Sequence, residues 1–427
     1  MTQSYHKTSE EEALYEAGEL PEVNSHPRLN NAALYGLAGR FVQSLSPHTE
    51  ADPAAILGQV LVAFGVACGR SPHLVIDGSR HGVNEFAVMV GASSKARKGT
   101  GWNRTKATLS QADPDFFDGR VKCGLSSGEG LIYHVRDAVE TFDQKKVEMV
   151  LTDPGIDDKR LLITEEEFAS VLKMLERDGN SLSPVLRIAW DGGKLSPLTK
   201  SNRIEATNAH IGLIGHITEE ELKRRLTETE SANGFGNRIL WFYVRRSQLL
   251  PLGGHFEEVQ EYGYEFKSAL NFARNIGEMK RSQDFDSRWQ DVYPILSEAT
   301  PGLAGQLTSR SEAHALRLSM IFALMDRSDT IRSEHLTPAL SIIDYVQDSV
   351  AYIFGAATGD PLADKITEIV SLQGGSASMM EIYSALKGHG RKDQIERAIT
   401  RLVQIERIEV MSEKTDGRPR QILKARR

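Results

Sequence analysis

From about residue 70 to residue 250, short apolar runs alternate with helical ones, and this alternation limits the possible folds more than any other feature of the chain. The apolar runs are HLVIDG (His73–Gly78), FAVMV (Phe86–Val90), VEMVLTD (Val147–Asp153), RLLITEEE (Arg160–Glu167), AHIGLIGHIT (Ala209–Thr218) and RILWFYV (Arg238–Val244). Strands separated by helices predict an α/β layered core over 83–256 with a mostly parallel sheet. Before it, 29–82 reads as a helical segment and a strand leading into the core. Its second helix, AAILGQVLVAFGVACG after an Asp52-Pro53 start, is apolar nearly all round and so predicted to be buried. Residues 257–357 carry helical periodicity and predict a helical subdomain. Over 358–427, three helical patterns precede two short strands around Asp416-Gly417, the order of a winged helix-turn-helix. Residues 1–28 are polar, with Glu10, Glu11 and Glu12 in sequence, and read as an arm.

Composition narrows the function classes. No apolar run approaches the roughly 20 residues of a membrane span, and the polar start MTQSYHKTSEEE is no signal peptide. Two cysteines, Cys68 and Cys123, give neither a disulfide framework nor a CxxC metal spacing. The expected setting is the cytoplasm, without membrane contact. A net charge of −7 means that affinity for nucleic acid has to come from a local patch.

The stretch NEFAVMVGASSKARKGTGWNRT (Asn84–Thr105) places a buried strand, a basic glycine-containing loop and a helical run beginning near Trp102 in succession. That is the context of a phosphate-binding P-loop, in which backbone N–H groups and a helix N-terminus cradle phosphate oxygens and a lysine neutralises them. The candidate residues are Gly91, Ser94, Lys95, Arg97, Lys98, Gly99 and Thr100. The usual pattern G-x-x-x-x-G-K-[ST] is not met: Arg97 stands where the glycine before the lysine belongs, and Gly99 separates lysine from hydroxyl. A basic surface loop is the other reading.

Further candidates lie at the ends of other runs. Glu165, Glu166 and Glu167 follow the strand LLIT, and at most two can face one site: Glu165 and Glu167 are the candidates to hold Mg²⁺ and Glu166 a candidate for catalysis; the same residues could simply start the next helix. In GLSSGEGL, Glu129 between two glycines could polarise an attacking water or occupy a helix first turn. His216 ends an apolar strand and could sense a γ-phosphate or be a satisfied structural histidine. Arg238 follows Gly234 and Gly236, so it could project to a neighbouring subunit's phosphate or pair with a carboxylate in its own chain. In the tail, residues 360–427 hold 13 Lys and Arg against 10 Asp and Glu, a net of +3. Arg391, Lys392, Arg397 and Arg401 would lie on a recognition helix, and Arg418, Arg420 and Lys424 on a wing, facing DNA phosphates or a protein partner.

Taken together and in order, GASSKARKGTGW, GLSSGEGL, LLITEEEFASVLKMLERDGNSLSPVLRIAWDGG, AHIGLIGHIT, ANGFGNRILW and the tail TDGRPRQILK resemble the phage- and plasmid-associated DUF3987 family. The resemblance covers about residues 27–427. It implies a RecA-like P-loop ATPase core related to hexameric replicative helicases, with ATP and Mg²⁺ at subunit interfaces of a ring, and a C-terminal winged helix. It makes Lys98 and Thr100 the Walker A lysine and hydroxyl, with Glu165 to Glu167 at the Walker B end. Glu129 becomes the catalytic glutamate, His216 the sensor and Arg238 an arginine finger offered in trans. The implied partners are single-stranded or forked DNA and further copies of the chain. Because no primase or zinc-ribbon segment is present, priming would come from a separate protein. Two departures stand out: Arg97 in Walker A, and Glu where Walker B usually carries Asp.

Overall fold

The computed structural model describes residues 26–426 except 145–146, 197–203, 227–229, 231–232, 258, 299–301, 356–359, 387–390, 405–406 and 414–419. Ahead of the core, Leu74–Ile76 (β1) pairs with Ser79–His81 (β2). The His73–Gly78 run is therefore one arm of a hairpin. Asp77 and Gly78, both at positive φ (47° and 73°), make its two-residue turn.

The core sheet contains Phe86–Val90 (β3), Val121–Lys122 (β4), Arg160–Glu165 (β7), His210–Ile217 (β8) and Ile239–Tyr243 (β9), all parallel, in the order β4-β7-β8-β3-β9. A five-stranded parallel sheet between helices is compatible with a Rossmann- or RecA-like core. β3 and β8 are buried along their whole length, as continuous apolar strands covered on both faces must be. β3 sits where the strand order reverses: the chain runs out to the β4 edge, returns through β7 and β8, and adds β9 on the far side of β3. Ligands of open α/β sheets bind beyond the strand carboxyl ends at such a point. Register brings those ends level, with Val90 opposite Ile217 and Tyr243, and Glu165 opposite Gly215.

The run VEMVLTD does not join this sheet. Glu148–Asp153 (β6) pairs antiparallel with Val139–Asp143 (β5) as a separate hairpin, and the sheet edge is the two-residue β4. The physical reason is loop length. Only a few residues separate the two arms, whereas a parallel pair needs a crossover of a dozen or more.

Two apolar clusters cover the sheet. Ala87 and Met89 of β3 face one, built from the helices Gly36–Leu45, Pro53–Cys68, Lys98–Ala112, Val259–Arg274, Ser311–Met325 and Ser333–Phe354. Phe86, Val88 and Val90 face the other, with Gly128–Tyr133, Phe168–Leu175 and Leu182–Asp191. The expected helical subdomain 257–357 thus shares a core with the N-terminal helices on one face of the sheet and, through Leu303, Leu307, Val350 and Ile353, reaches the cluster on the other. The Pro53–Cys68 helix starts as anticipated: Asp52 accepts from the Ala54 N–H at 3.0 Å, Pro53 needs no donor partner, and every residue from Ala54 to Cys68 is buried. At the opposite end of β3, the buried Glu85 accepts from Trp190 Nε1 (3.2 Å) and contacts His314 Nδ1 (2.9 Å), while Arg317 stacks 3.6 Å over the Trp190 ring. This cluster ties the sheet to the Ser311–Met325 helix.

Lys280–Arg281 (β10) and Thr330–Ile331 (β11) form a short parallel bridge. After 360 come the helix Pro361–Leu372, Ser376–Ser378 (β12), the helices Met379–Leu386 and Lys392–Gln404, then Ile408–Glu413 (β13) and Arg420–Ala425 (β14). The strands form an antiparallel sheet in the order β12-β14-β13 over a core of their own that includes Ile366, Ile395, Leu402 and Leu423. The strand β12 was not anticipated, and the Asp416-Gly417 turn lies outside the described residues. Among the described residues no helix is long and apolar enough to cross a membrane.

Candidate nucleotide site

The loop after β3 is held against both neighbouring strands. The Gly91 N–H donates to Ile217 O at 3.2 Å, and a Cβ on Gly91 would lie 2.2 Å from Val244 O, so only glycine fits. Ser94–Ala96 forms one 3₁₀ turn, and the helix begins at Lys98, not near Trp102. It can start this early because Arg97 adopts the left-handed conformation (φ 53°, ψ 30°) and turns the chain into the first helical residue. For a non-glycine residue this costs about 1–2 kcal/mol. An ion pair from Arg97 Nε to Glu50 Oε2 (2.6 Å) ties the side chain to the segment before the Pro53–Cys68 helix. Arg97 therefore adopts a conformation that glycine reaches without strain.

No side chain caps this 15-residue helix, so its first N–H groups stand without intrahelical partners at its positive end. Above them, Lys98 Nζ donates to Gly91 O (2.9 Å) and Ala92 O (3.1 Å). These partners are neutral. Burial pulls the lysine pKa down to about 8, and Glu221 only partly opposes this. Lys95 and Thr100 are exposed and Gly99 half-buried, with open space where a Gly99 side chain would be; the side chain of Ser94 lies outside the described residues.

His216 comes next, at the end of β8 and level with Met89. It is buried, and desolvation together with the Lys98 charge lowers its pKa to about 4, so the imidazole is neutral. Its Nε2 lies 3.1 Å from Gln59 Nε2, which also reaches Lys98 O at 3.4 Å. Sequence reasoning passed over Gln59, although it is the one amide in an otherwise apolar helix, and that anomaly was legible.

The acids divide in two. Glu165 is buried, and its Oε1 accepts from the Leu125 N–H at 2.6 Å, with Gly124 as a second donor. Burial raises its pKa, partly offset by these two bonds. Through these bonds Glu165, expected as a metal ligand, pins the loop after β4. Its face is set by strand alternation, which puts Glu165 with Leu161 and Ile163 on the second core's side. Glu166 and Glu167 are exposed, their carboxylates form no hydrogen bond or ion pair among the described residues, and neither side chain caps the following helix. They emerge at the height of His216 and Ile217, two strand spacings or roughly 10 Å across from β3.

Glu129 sits in the first turn of Gly128–Tyr133, a helix capped by Ser127, and accepts from Ser181 Oγ at 2.9 Å. Its helix follows the edge strand β4 in the chain and packs in the second core, over the sheet.

Arg238 departs most from expectation. It does not project. Its Nη2 meets Asp191 Oδ2 at 2.8 Å, its Nη1 meets Gly234 O at 2.6 Å, and its side chain is 8% exposed beside the Trp190 ring. The glycines let the loop fold back over the guanidinium, and a carboxylate 47 residues away completes the pair.

In the C-terminal unit, Ile395, Ala398, Ile399 and Leu402 bury one face of Lys392–Gln404, leaving Lys392 and Arg397 exposed on the other, with Arg391 just before it. Lys424 is exposed on β14, and Arg420 pairs with Glu381 at 3.4 Å. Arg418 and the side chain of Arg401 lie outside the described residues. Among the described residues no three His, Cys, Asp or Glu side chains gather as a metal-binding group. No protein-family model and no curated protein matches the chain.

Proposed function

We propose that this protein is an ATP-dependent DNA translocase or helicase, replication-associated and of a mobile element, that hydrolyses ATP at subunit interfaces of a homo-oligomeric ring, expected to be a hexamer. The observation that carries the reading is a lysine with only neutral partners, held over an uncapped helix N-terminus where the strand order reverses. Phosphate oxygens suit such a place. Thr100, Glu166 and Glu167 are the groups free to hold Mg²⁺, an ion that takes one or two protein ligands beside phosphate oxygens and neutralises their charge. His216, neutral at the end of β8, supplies a hydrogen bond without adding charge. The helix–strand–helix–helix–hairpin order after 360, with basic residues outward on Lys392–Gln404, supports a winged helix touching DNA backbone. The resemblance of the ordered motifs to the DUF3987 family supports the same reading.

Arg238 and Arg97 favour a second reading. With Arg238 paired inside its own chain and a left-handed arginine in the loop, the core would act as a slow ATP switch for a DNA-binding initiator or regulator. A forked DNA substrate separates the two. The translocase displaces a strand with ATP and not with a non-hydrolysable analogue. A switch protein binds the fork in both cases and displaces nothing.

A further inference from the structure

We propose that Gln59 is a positioning residue of the Lys98 site, fixing the tautomer of His216 and tying the end of β8 to the first residue of the Lys98–Ala112 helix. Its consequence for turnover rests on the nucleotide reading above; its effect on His216 does not.

Gln59 is fully buried in a helix whose other residues are all apolar, and its Oε1 has no donor among the described residues. A buried acceptor without a partner costs about 1–3 kcal/mol. A methionine or leucine would fill the same place without that penalty, so what the glutamine contributes must lie in its other atom. There Nε2 reaches two groups on different elements, Lys98 O at 3.4 Å and His216 Nε2 at 3.1 Å. A backbone carbonyl only accepts, so the amide must turn its NH₂ toward Lys98. The imidazole nitrogen facing that NH₂ must then accept as well. This places the ring proton on Nδ1 and makes His216 a neutral donor of defined direction. The approach is close on both sides: a Cβ on Gly101, one turn into the helix, would lie 3.2 Å from Gln59 Oε1. A shift of the helix start on anion binding would move the Lys98 carbonyl, and Gln59 would pass that shift to His216.

The test uses the full chain labelled with ¹⁵N-histidine, observing His216 through long-range ¹H–¹⁵N correlations. The wild type is expected to show protonated Nδ1 and unprotonated Nε2, and Gln59→Met, of similar volume but without a donor, a mixture of tautomers. Gln59→Met should also lower ATP hydrolysis by on the order of tenfold while leaving Mg·ATP affinity and melting temperature near wild type. In the His216→Ala background it should lower hydrolysis no further. An unchanged His216 tautomer in Gln59→Met, or losses that multiply in the double variant, overturns the proposal. If wild type binds no ATP yet the tautomer changes with Gln59, the positioning role stands and the nucleotide reading falls.

Discussion

Two glycine-containing loops in this protein each anchor a cation at one end of a core strand, Lys98 after β3 and Arg238 before β9, and the fold treats these two side chains in opposite ways. After β3, Lys98 is bound by two backbone carbonyls and keeps its charge at the end of the sheet. Before β9, Arg238 is bound by a carbonyl and by Asp191, and it is buried beside Trp190. The two side chains are alike in charge; a carboxylate makes the difference. A cation held by neutral dipoles still presents its field to a ligand, whereas one paired with a carboxylate presents little. Lysine suits the first role because burial lowers its pKa and leaves it titratable, and arginine the second because its planar fork matches a carboxylate.

The comparison predicts a graded set of effects. The largest is at Lys98. Its replacement by alanine should lower DNA-stimulated ATP hydrolysis by on the order of 10³-fold, and retained activity would remove the loop from the account. A pH series follows. Lys98 titrates near 8 in the free protein, so phosphate affinity should be level below that pH and fall by up to about tenfold per unit above it. For stability the sign is opposite. The folded pKa is lowered, so the unfolded chain binds more protons between about pH 8 and the usual lysine range. Unliganded stability should therefore rise with pH across that window through this group. Calorimetric titration from pH 7 to 9.5, alongside thermal melts, checks both signs.

Arg238→Ala should behave differently in kind. It removes a nearly buried cation from a carboxylate that is 45% exposed, so stability should fall by about 1–3 kcal/mol. Nucleotide affinity should stay within a few-fold. If instead the variant melts like the wild type and loses hydrolysis, Arg238 acts in chemistry and the contrast between the loops is wrong. The smallest effect belongs to Arg97→Gly. Relief of the left-handed conformation and loss of the Glu50 pair oppose each other, so denaturant unfolding should change by about 1 kcal/mol or less.

Much of this arrangement was readable from the residues. β3, β8 and β9 are apolar runs whose burial follows from their own composition, and Asp52-Pro53 announced the buried helix by local capping chemistry. What escaped depended on distant partners. Nothing local in VEMVLTD says that it pairs backward with Val139–Asp143, and the two-residue β4 is too short to show a pattern. Glu165 looked like a ligand because its engagement with Leu125 comes from a loop 40 residues away. Arg238 looked free for the same reason, since Asp191 belongs to another helix. The early helix start hinged on a left-handed arginine, a conformation that residue type argues against.

The most direct test is an equilibrium titration of the full chain with Mg²⁺ and a slowly hydrolysed ATP analogue, wild type beside Lys98→Ala and Arg238→Ala. Saturable binding by wild type and Arg238→Ala, lost in Lys98→Ala, is the predicted result. Equal binding by all three, or none by the wild type, contradicts the assignment of the Lys98 loop as the nucleotide site.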